Sequence, residues 1–509
     1  MTAPASIPAA DNNPPAASVQ LAENVDAPEG SVSLWRAFAR SVRHNTVGEI
    51  TVQVLRTGAM VMLARLLHPS DFGLFRMLLA FVLPLTALCE VGIPDALIQR
   101  PHTEAAHETM GWWICLLASA TVSGTLYCTS SAIAHLMRMA DLGFALRLVC
   151  VPIVLEGASI APNARLRREL RFGALATADV VAEIGFLTAA FALIWCRLDR
   201  WSLAGALAAR LGVHGLAVCV QSGGVPLGKP SFKAAVDLRQ FSLSVLAGRI
   251  VTALSDNADY ILVGRLLGSG ALGIYAMAWD LLRFIPDRLH KVAGRVTLPA
   301  FCRLQHDDRE LGRAFAQFSG YLARVIFPLL ACLAIAAPEF VRTVYGAQWL
   351  PAALPLRLLT FGLAFAGLRL GSVYFAKGHP EFEIYTNTLR LVGIVTVVLL
   401  LWHHGLFGVS LGVSAVEASI SAIHIGLACQ LIGLRWRTYL AAWAPGAWIG
   451  LWCALAAAAG KFVAIACGIH GPAALAVLAL PPAVTFFWRA LPEIRYAMAM
   501  AFTRQQANT

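Results

Sequence analysis

Long apolar stretches separated by short polar turns run along the chain from about residue 46 to residue 490. A helix needs roughly 20 apolar residues to cross the hydrocarbon core of a bilayer, and about twelve to fourteen such stretches fit between these limits. The pattern therefore predicts an all-α polytopic membrane protein, with six transmembrane helices up to residue 222 and eight from residue 239, among them helices over 72–99 and 352–376.

One part of this pattern occurs twice. Residues 48–77 and 248–277 align without a gap and share the layout of an apolar segment, an Arg-Leu-Leu sequence, a polar turn and a second apolar segment. The aligned positions include Arg65-Leu66-Leu67 with Arg265-Leu266-Leu267, and Gly73 with Gly273. The shared layout predicts an internal duplication in which both halves begin with the same helical hairpin.

The duplication divides the chain into two predicted six-helix lobes. The parts are a disordered cytoplasmic tail (1–33), an N-lobe of helices 1–6 (34–222), a cytoplasmic linker (223–238), a C-lobe of helices 7–12 (239–432), and two extra helices with a cytoplasmic tail (433–509). The first tail is rich in Ala, Pro and Asn and the linker in Gly, Pro and Lys, which is typical of segments without regular structure.

Composition and charge support a membrane location. Hydrophobic residues make up 58% of the chain and charged residues 14%, and the mean hydropathy is +0.67. The net charge of +11 does not come from a block of Lys and Arg interleaved with aromatic residues, so nucleic acid is not an expected partner. Most arginines fall in short loops on one side, which predicts that both termini are cytoplasmic.

Enzymatic and metal-dependent functions are disfavoured by the loops and the cysteines. No loop is long enough to fold as a domain, whereas membrane enzymes of polysaccharide assembly generally need one to hold a sugar acceptor. The 11 cysteines lie mainly in apolar runs and form no Cys-x-x-Cys pair, which is typical of small buried hydrophobes. We therefore expect a transporter without a cofactor or metal site, with H⁺ or Na⁺ as the possible coupling ion.

Charged residues inside the duplicated hairpins are the candidate functional groups, because a charge in the bilayer core normally faces a cavity or a partner. Glu49 and Arg56 lie two turns apart on the first helix, and Arg249 and Asp256 occupy the same register positions in the repeat with the signs exchanged. If the two first helices meet at a central cleft, Glu49 pairs with Arg249 and Arg56 with Asp256.

Further charges in these hairpins extend the candidate site. Arg56, Arg76, Arg249 and Arg283 are the candidates for binding a phosphate or diphosphate, since a guanidinium offers a fixed fork to oxyanions. Glu49, Asp256, Asp259 and Asp280 are the candidates for coupling or gating. Simpler roles stay open: Arg65 and Arg265 cap helices at the interface, and Arg56 pairs with Glu49 within its own helix. Six further membrane-embedded charges are candidates that, taken singly, are interpreted as structural or interfacial, namely Arg324, Arg357, Arg369, Glu156, Asp179 and Glu183.

The duplicated hairpins resemble a known family. The segments that carry the resemblance are residues 64–75, 259–275, 298–307 and 345–351. They look like the polysaccharide flippases of the MOP (multidrug, oligosaccharidyl-lipid, polysaccharide) exporter superfamily, and within it like the Wzx-like oligosaccharide flippases. The resemblance covers roughly residues 45–435, and the Ala/Pro-rich tail and two extra C-terminal helices depart from the simplest family plan.

The resemblance implies a V of two six-helix lobes around a central cavity, with alternating access by rocking of the lobes. It implies a cargo of undecaprenyl-diphosphate-linked oligosaccharide, carried from the inner to the outer leaflet for exopolysaccharide, capsule or O-antigen assembly. The implied partners are this lipid-linked oligosaccharide, membrane lipids, and polymerase and export machinery. A small-molecule exporter of the same superfamily and a membrane polysaccharide polymerase remain as alternatives.

Overall fold

The computed structural model describes residues 51–99, 105–226, 228, 230–469 and 471–488. The predicted tail (1–33), Glu49 and the end of the chain after residue 488 lie outside this part. The side chain of Arg249 is likewise outside the described part.

The N-lobe begins with α1 over residues 51–66, which is helical from the first described residue. The helices that follow are α2 (Pro69–Glu90), the short α3 (Ile93–Gln99), α4 (Ala105–Met137), α5 (Ala140–Arg168), α6 (Phe172–Trp195) and α7 (Asp199–Gln221). Apart from α3, each helix is long and apolar, so this lobe has the helical order predicted from the sequence.

The C-lobe begins with α8 (Phe232–Arg303), whose two arms meet at Gly268. The rest of the lobe consists of α9 (Asp308–Val344), a 3₁₀ turn (Ala347–Ala352), α10 (Ala353–Ala366), the short α11 (Ser372–Ala376), α12 (Glu381–Leu401) and α13 (Gly405–Leu431). The last two helices are α14 (Trp436–Ala466), which packs along α9, and α15 (Pro472–Trp488).

Ten segments of the described chain are long and apolar enough to cross a bilayer. Two of them each hold two helices, since Val251–Arg303 breaks at Gly268 and Glu381–Leu431 contains both α12 and α13. The protein is therefore an all-α, multi-pass membrane protein, and the predicted fold class is confirmed.

Three helix boundaries differ from the sequence-based expectation. The predicted helix over 72–99 ends at Glu90, because Val91 and Gly92 have positive φ angles of 50° and 70°. The predicted helix over 352–376 is split between α10 and α11 by residues 367–371. Helix α8 begins at Phe232 and not at residue 239 as predicted, so it includes part of the segment (223–238) that was predicted as a linker.

Candidate translocation cleft

The two copies of the hairpin meet at a close helix crossing. A Cβ atom added to Gly73 on α2 would overlap the carbonyl of Ser269, and one added to Gly273 on α8 would overlap the carbonyl of Pro69. Both Cβ atoms would also lie 3.0 Å from the backbone nitrogen of the opposite glycine. Because only glycine lacks this atom, the repeated glycines allow α2 and the second arm of α8 to touch backbone to backbone.

Hydrogen bonds between the lobes surround this crossing. Arg65, at the end of α1, donates to the carbonyl oxygens of Thr343 and, at 2.8 Å, Val344, where α9 ends. Its counterpart Arg265 donates to the carbonyl oxygen of Leu136 at the end of α4, at 2.7 Å. Each arginine thus caps the third long helix of the opposite lobe, where unpaired carbonyls and the negative end of the helix dipole favour a cation.

Two further hydrogen bonds are donated by the C-lobe to the end of α1. Gln348 and Trp349, in the 3₁₀ turn after α9, both donate to the carbonyl oxygen of Ala64 at 2.7 Å. The ring of Trp349 also packs edge-on against Phe72, with centroids 5.1 Å apart. The end of the cleft next to the glycine crossing is therefore closed by contacts contributed from both lobes.

Beyond the crossing, the lobes separate around a central polar cavity of about 1080 Å³. The cavity is lined by α1, α2, both arms of α8 and the start of α12. Its charged lining residues are Arg76, Glu90, Asp256, Asp280, Arg283, Asp287, Arg288, Lys291 and Glu383. The cavity thus contains both signs of charge, and its cations come mainly from α8.

Two of the predicted phosphate-binding arginines, Arg76 and Arg283, do lie in this cavity. Arg76 lies over the ring of Tyr260, 3.8 Å from its centroid, and its Nη2 is 3.4 Å from Asp280 Oδ1. Arg283 lies 3.4 Å from Asp287 and 3.8 Å from Asp256. Both guanidiniums already have carboxylate neighbours, so an incoming anion would share them or displace a carboxylate.

Sequence reasoning missed two cations of the cavity, Arg288 and Lys291. They follow Arg283 on the second arm of α8, are exposed, and have no carboxylate within ion-pair distance among the described residues. Their three-residue spacing places them on one helix face, which was a signal available in the sequence. Of the four cations that line the cavity, these two form no ion pair with a described residue.

An apolar cavity of about 620 Å³ adjoins the polar one. Its walls come from α1, α2, the second arm of α8 and α9, and include Met60, Phe75, Leu79, Leu333 and Phe340. The two cavities share a boundary formed by Gln53, Arg76, Asp280 and Phe284. A single cleft between the lobes is therefore polar on one side and apolar on the other.

The predicted pairing of Arg56 with Asp256 across the cleft is wrong. Arg56 Nη2 lies 2.8 Å from Glu183 Oε2 on α6, in its own lobe. Asp256 Oδ1 lies 2.9 Å from Arg390 Nη1 on α12, in the C-lobe. The first helix of each lobe packs close to the fifth long helix of the same lobe, so each charge finds its partner there.

A third residue completes each of these two clusters. In the N-lobe, Arg210 Nε on α7 lies 3.5 Å from Glu183; we call Arg56, Glu183 and Arg210 the N-triad. In the C-lobe, Arg390 Nε donates to Glu417 Oε1 on α13 at 2.6 Å; we call Asp256, Arg390 and Glu417 the C-triad. Of these six residues, the sequence did not single out Arg210, Arg390 or Glu417.

Asp259, a predicted coupling carboxylate, lies away from both cavities. It is buried and accepts hydrogen bonds from the Tyr275 hydroxyl and the Tyr260 backbone N–H, each at 2.9 Å. Its geometry indicates that it holds the two arms of α8 together. Asp280 does lie in the cleft, where it accepts a hydrogen bond from the Tyr260 hydroxyl at 3.2 Å.

A smaller polar cavity of about 330 Å³ lies inside the N-lobe. His214 on α7 lies between Glu156, 2.9 Å from its Nδ1, and Asp179, 3.6 Å from its Nε2. The two carboxylates, which the sequence did not single out as functional, line this cavity together with Arg210 of the N-triad.

Together, the two helical lobes, the crossing that closes one end and the cavity between them define a multi-pass helical membrane protein with a central cleft. Among solved structures, the lipid II flippase MurJ in an inward closed conformation has a TM-score of 0.69 and 13% identity, with 89% of this chain and 99% of that chain covered. The architecture of this chain is therefore that of a known transporter fold.

Residues 62–354 match the family described as polysaccharide biosynthesis protein, so the chain belongs to this family. The teichuronic acid biosynthesis protein TuaB of Bacillus subtilis (strain 168) is 27% identical, covering 68% of this chain and 71% of the relative. The lipopolysaccharide biosynthesis protein WzxC of Escherichia coli (strain K12) is 24% identical, covering 81% and 86%. The resemblance to polysaccharide flippases inferred from the hairpins is confirmed.

Proposed function

We propose that this protein flips a lipid-linked oligosaccharide unit across the bacterial inner membrane, from the inner to the outer leaflet. The cleft is the observation that carries the proposal, because its polar and apolar cavities meet at Arg76 and Asp280. A lipid-linked glycan has the same two parts joined at one point, its phosphate. A small polar solute would have no use for an adjoining apolar cavity of about 620 Å³.

The diphosphate of the cargo, an undecaprenyl-diphosphate-linked oligosaccharide, would bind where cations face the polar cavity. Arg288 and Lys291 are the first contacts, since they have no carboxylate partner among the described residues, and Arg76 and Arg283 add fixed guanidinium forks. Arg56 is a weaker candidate, because it lines only the apolar cavity and is paired with Glu183.

Transport would follow alternating access. With the termini in the cytoplasm, the glycine crossing and the caps around Arg65 and Arg265 lie at the outer end of the cleft. The described state would then be open to the cytoplasm, and flipping would require these contacts to break while the inner end closes. Asp280, which touches both Arg76 and Tyr260, is the coupling carboxylate best placed to respond to an arriving anion, with H⁺ or Na⁺ as the proposed coupling ion.

A strain lacking this protein tests the proposal. Single lipid-linked repeat units should accumulate on the cytoplasmic face of the null strain, and the wild-type gene should move them to the periplasmic face. The double variant Arg288→Ala/Lys291→Ala should insert normally and lose most of this activity. Arg313→Ala, which removes an exposed arginine of α9 outside the cleft, is the matched control and should transport normally.

The proposal fails if the null strain still presents lipid-linked units on the periplasmic face at the wild-type rate. Accumulation of such units on the periplasmic face, unpolymerised, would instead favour the polymerase alternative. Normal glycan export combined with a lost ability to expel small molecules would favour the exporter alternative.

A further inference from the structure

A second polar cavity lies inside the C-lobe, beside the central one. Its volume of about 340 Å³ falls within the range of about 300–1,000 Å³ that is usual for small-molecule sites. Its walls come from both arms of α8, the end of α10, and the helices α12 and α13. Because it shares Arg283, Asp287 and Asn387 with the central cavity, a ligand held there can extend into it.

The charges of this lateral cavity largely satisfy one another. The C-triad forms part of its wall, Arg369 lies 3.2 Å from Glu417, and Arg283 lies 3.4 Å from Asp287. The full set is three guanidiniums and four carboxylates: Arg283, Arg369 and Arg390, with Asp256, Asp287, Glu383 and Glu417. A free anion or a free cation would therefore meet repulsion from one half of the wall.

Two buried nitrogen atoms in the wall of this cavity lack a hydrogen-bond partner among the described residues, as does the carboxylate oxygen Glu383 Oε2. Trp279 Nε1 and His424 Nε2 make no hydrogen bond within the described part of the chain, although the residues are only 1% and 2% exposed. The nearest carboxylate oxygen to His424, Glu383 Oε2, is 4.0 Å from Nδ1, which is too long for a hydrogen bond. Because a buried polar atom without a partner is costly, both point to a ligand.

The chemistry of these two atoms selects the ligand class. An indole N–H can only donate, whereas a neutral imidazole offers one donor and one acceptor, and the nearby Glu383 accepts. A metal ion could bind the imidazole and the carboxylate, but it has no use for the indole N–H and would lie among three arginines. A phosphate could accept from the indole, but it would lie among four carboxylates.

A hydroxyl group both donates and accepts, so a neutral polyhydroxylated ligand can satisfy all of these groups without adding charge. We propose that the lateral cavity of the C-lobe is a subsite for a sugar unit of the cargo, bound through Trp279 and His424. The assignment rests on the proposed flippase function. It places the diphosphate at Arg283, Arg288 and Lys291, with the sugar next to the phosphate reaching past Arg283 into the C-lobe.

Binding to the full-length protein in lipid nanodiscs tests this subsite. The probes are undecaprenyl diphosphate and its glucosyl, galactosyl and N-acetylglucosaminyl derivatives. The wild-type protein should bind at least one derivative more tightly than undecaprenyl diphosphate itself. Trp279→Phe and His424→Phe should each lower the affinity for that derivative by about 3- to 10-fold, which corresponds to the loss of one hydrogen bond. The affinity for the sugar-free probe should stay unchanged.

The sugar-free probe shows at the same time that each variant is folded. Trp443→Phe is the matched control, because its Nε1 donates to Ser319 at 2.9 Å outside the cavity, and its sugar preference should equal that of the wild type. Arg283→Ala should lower the affinity for all four probes.

Three results would overturn the subsite. If no sugar increases the affinity of the wild type, or if the two variants keep the wild-type preference for the sugar, the lateral cavity does not bind sugar and the flippase proposal stands. If the wild type binds neither undecaprenyl diphosphate nor any derivative, the flippase proposal fails and the subsite fails with it.

Discussion

The two lobes carry the same arrangement of three charges with opposite signs. The N-triad has a carboxylate between two guanidiniums, and the C-triad has a guanidinium between two carboxylates. In each lobe the members come from the first, fifth and sixth long helices. The two lobes thus have ion pairs at equivalent positions, but the sign of the charge at each position is reversed. This indicates that each lobe needs opposite charges at these positions and not a given sign at any one of them.

The triads differ in their exposure. Around the buried Glu183, the side chains of Arg56 and Arg210 are 39% and 37% exposed, because each lines a cavity. In the C-triad, Arg390 and Glu417 are both buried, at 6% and 1%. The Arg390–Glu417 pair is therefore desolvated, whereas Asp256, at 39%, is as exposed as the arginines of the N-triad.

The largest effect is expected from removing the centre of the C-triad. Arg390→Ala leaves Glu417 buried without its closest partner, and breaking a buried pair in this way typically costs about 3–5 kcal/mol. We expect little folded protein and a strongly lowered Tm in detergent. Glu183→Ala should lower the Tm less, because the two arginines left without their partner are less buried than Glu417. Equal losses for the two variants would contradict the difference between the lobes.

A charge-inversion set tests the pairing itself. Glu183→Arg alone should destabilise the N-lobe, because three positive groups would then meet. The triple variant Arg56→Asp/Glu183→Arg/Arg210→Glu gives the N-triad the polarity of the C-triad and should recover much of the Tm, with a coupling of about 1–3 kcal/mol.

The cross-lobe double variant Arg56→Asp/Asp256→Arg is the control for this set. It should be no more stable than its single variants predict, since these residues have their partners in separate lobes. Recovery of the Tm and of transport in this double variant would show that Arg56 and Asp256 do pair across the cleft.

The predicted features of the fold were those encoded by local pattern. The length of the apolar runs, the repeat of Arg65 in Arg265 and the exchange of signs between Arg56 and Asp256 are all visible in the sequence. They were sufficient for the class of fold, and the bounds of the two lobes stay a prediction.

The partners of these charges could not be found in the same way. Arg56 and Glu183 are 127 residues apart, and Arg390 and Asp256 are 134 apart, so their pairing depends on the packing of helices within each lobe. Glu183 looked structural in isolation, and Arg390 and Glu417 carry no repeat signature. The sign exchange was read as a bridge between lobes, since periodicity gives the face of a helix but not its neighbour.

The glycine crossing provides a test of the symmetry between the lobes. Gly73→Ala and Gly273→Ala each place a Cβ against a backbone carbonyl of the other lobe, and overpacking of this kind typically costs about 1–3 kcal/mol. The two variants should therefore lower the Tm by similar amounts and weaken closure at this end. Gly58→Ala on α1 is the matched control, because its Cβ meets nothing within 4 Å. A large effect of only one of the pair would show that the crossing is not equivalent in the two lobes.

The smallest effects are expected from the reciprocal caps. Arg65→Ala and Arg265→Ala each remove hydrogen bonds to carbonyls of the opposite lobe at an exposed position, so each should cost about 1 kcal/mol and barely change the Tm. Both bonds exist only while this end is closed, so each variant should shift the population towards separated lobes. Distances between spin labels at Arg138 and Leu350, attached through unnatural amino acids, measure that shift.

The effect of the two caps should be equal and additive, because they lie on opposite lobes and share no partner. Arg342→Ala, an exposed arginine near the end of α9, is the control and should leave the distance distribution unchanged. If Arg65→Ala separates the lobes and Arg265→Ala does not, the contacts of Gln348 and Trp349 with Ala64 make the closed end asymmetric. Closure would then depend on the end of α1 and not on both copies of the repeat.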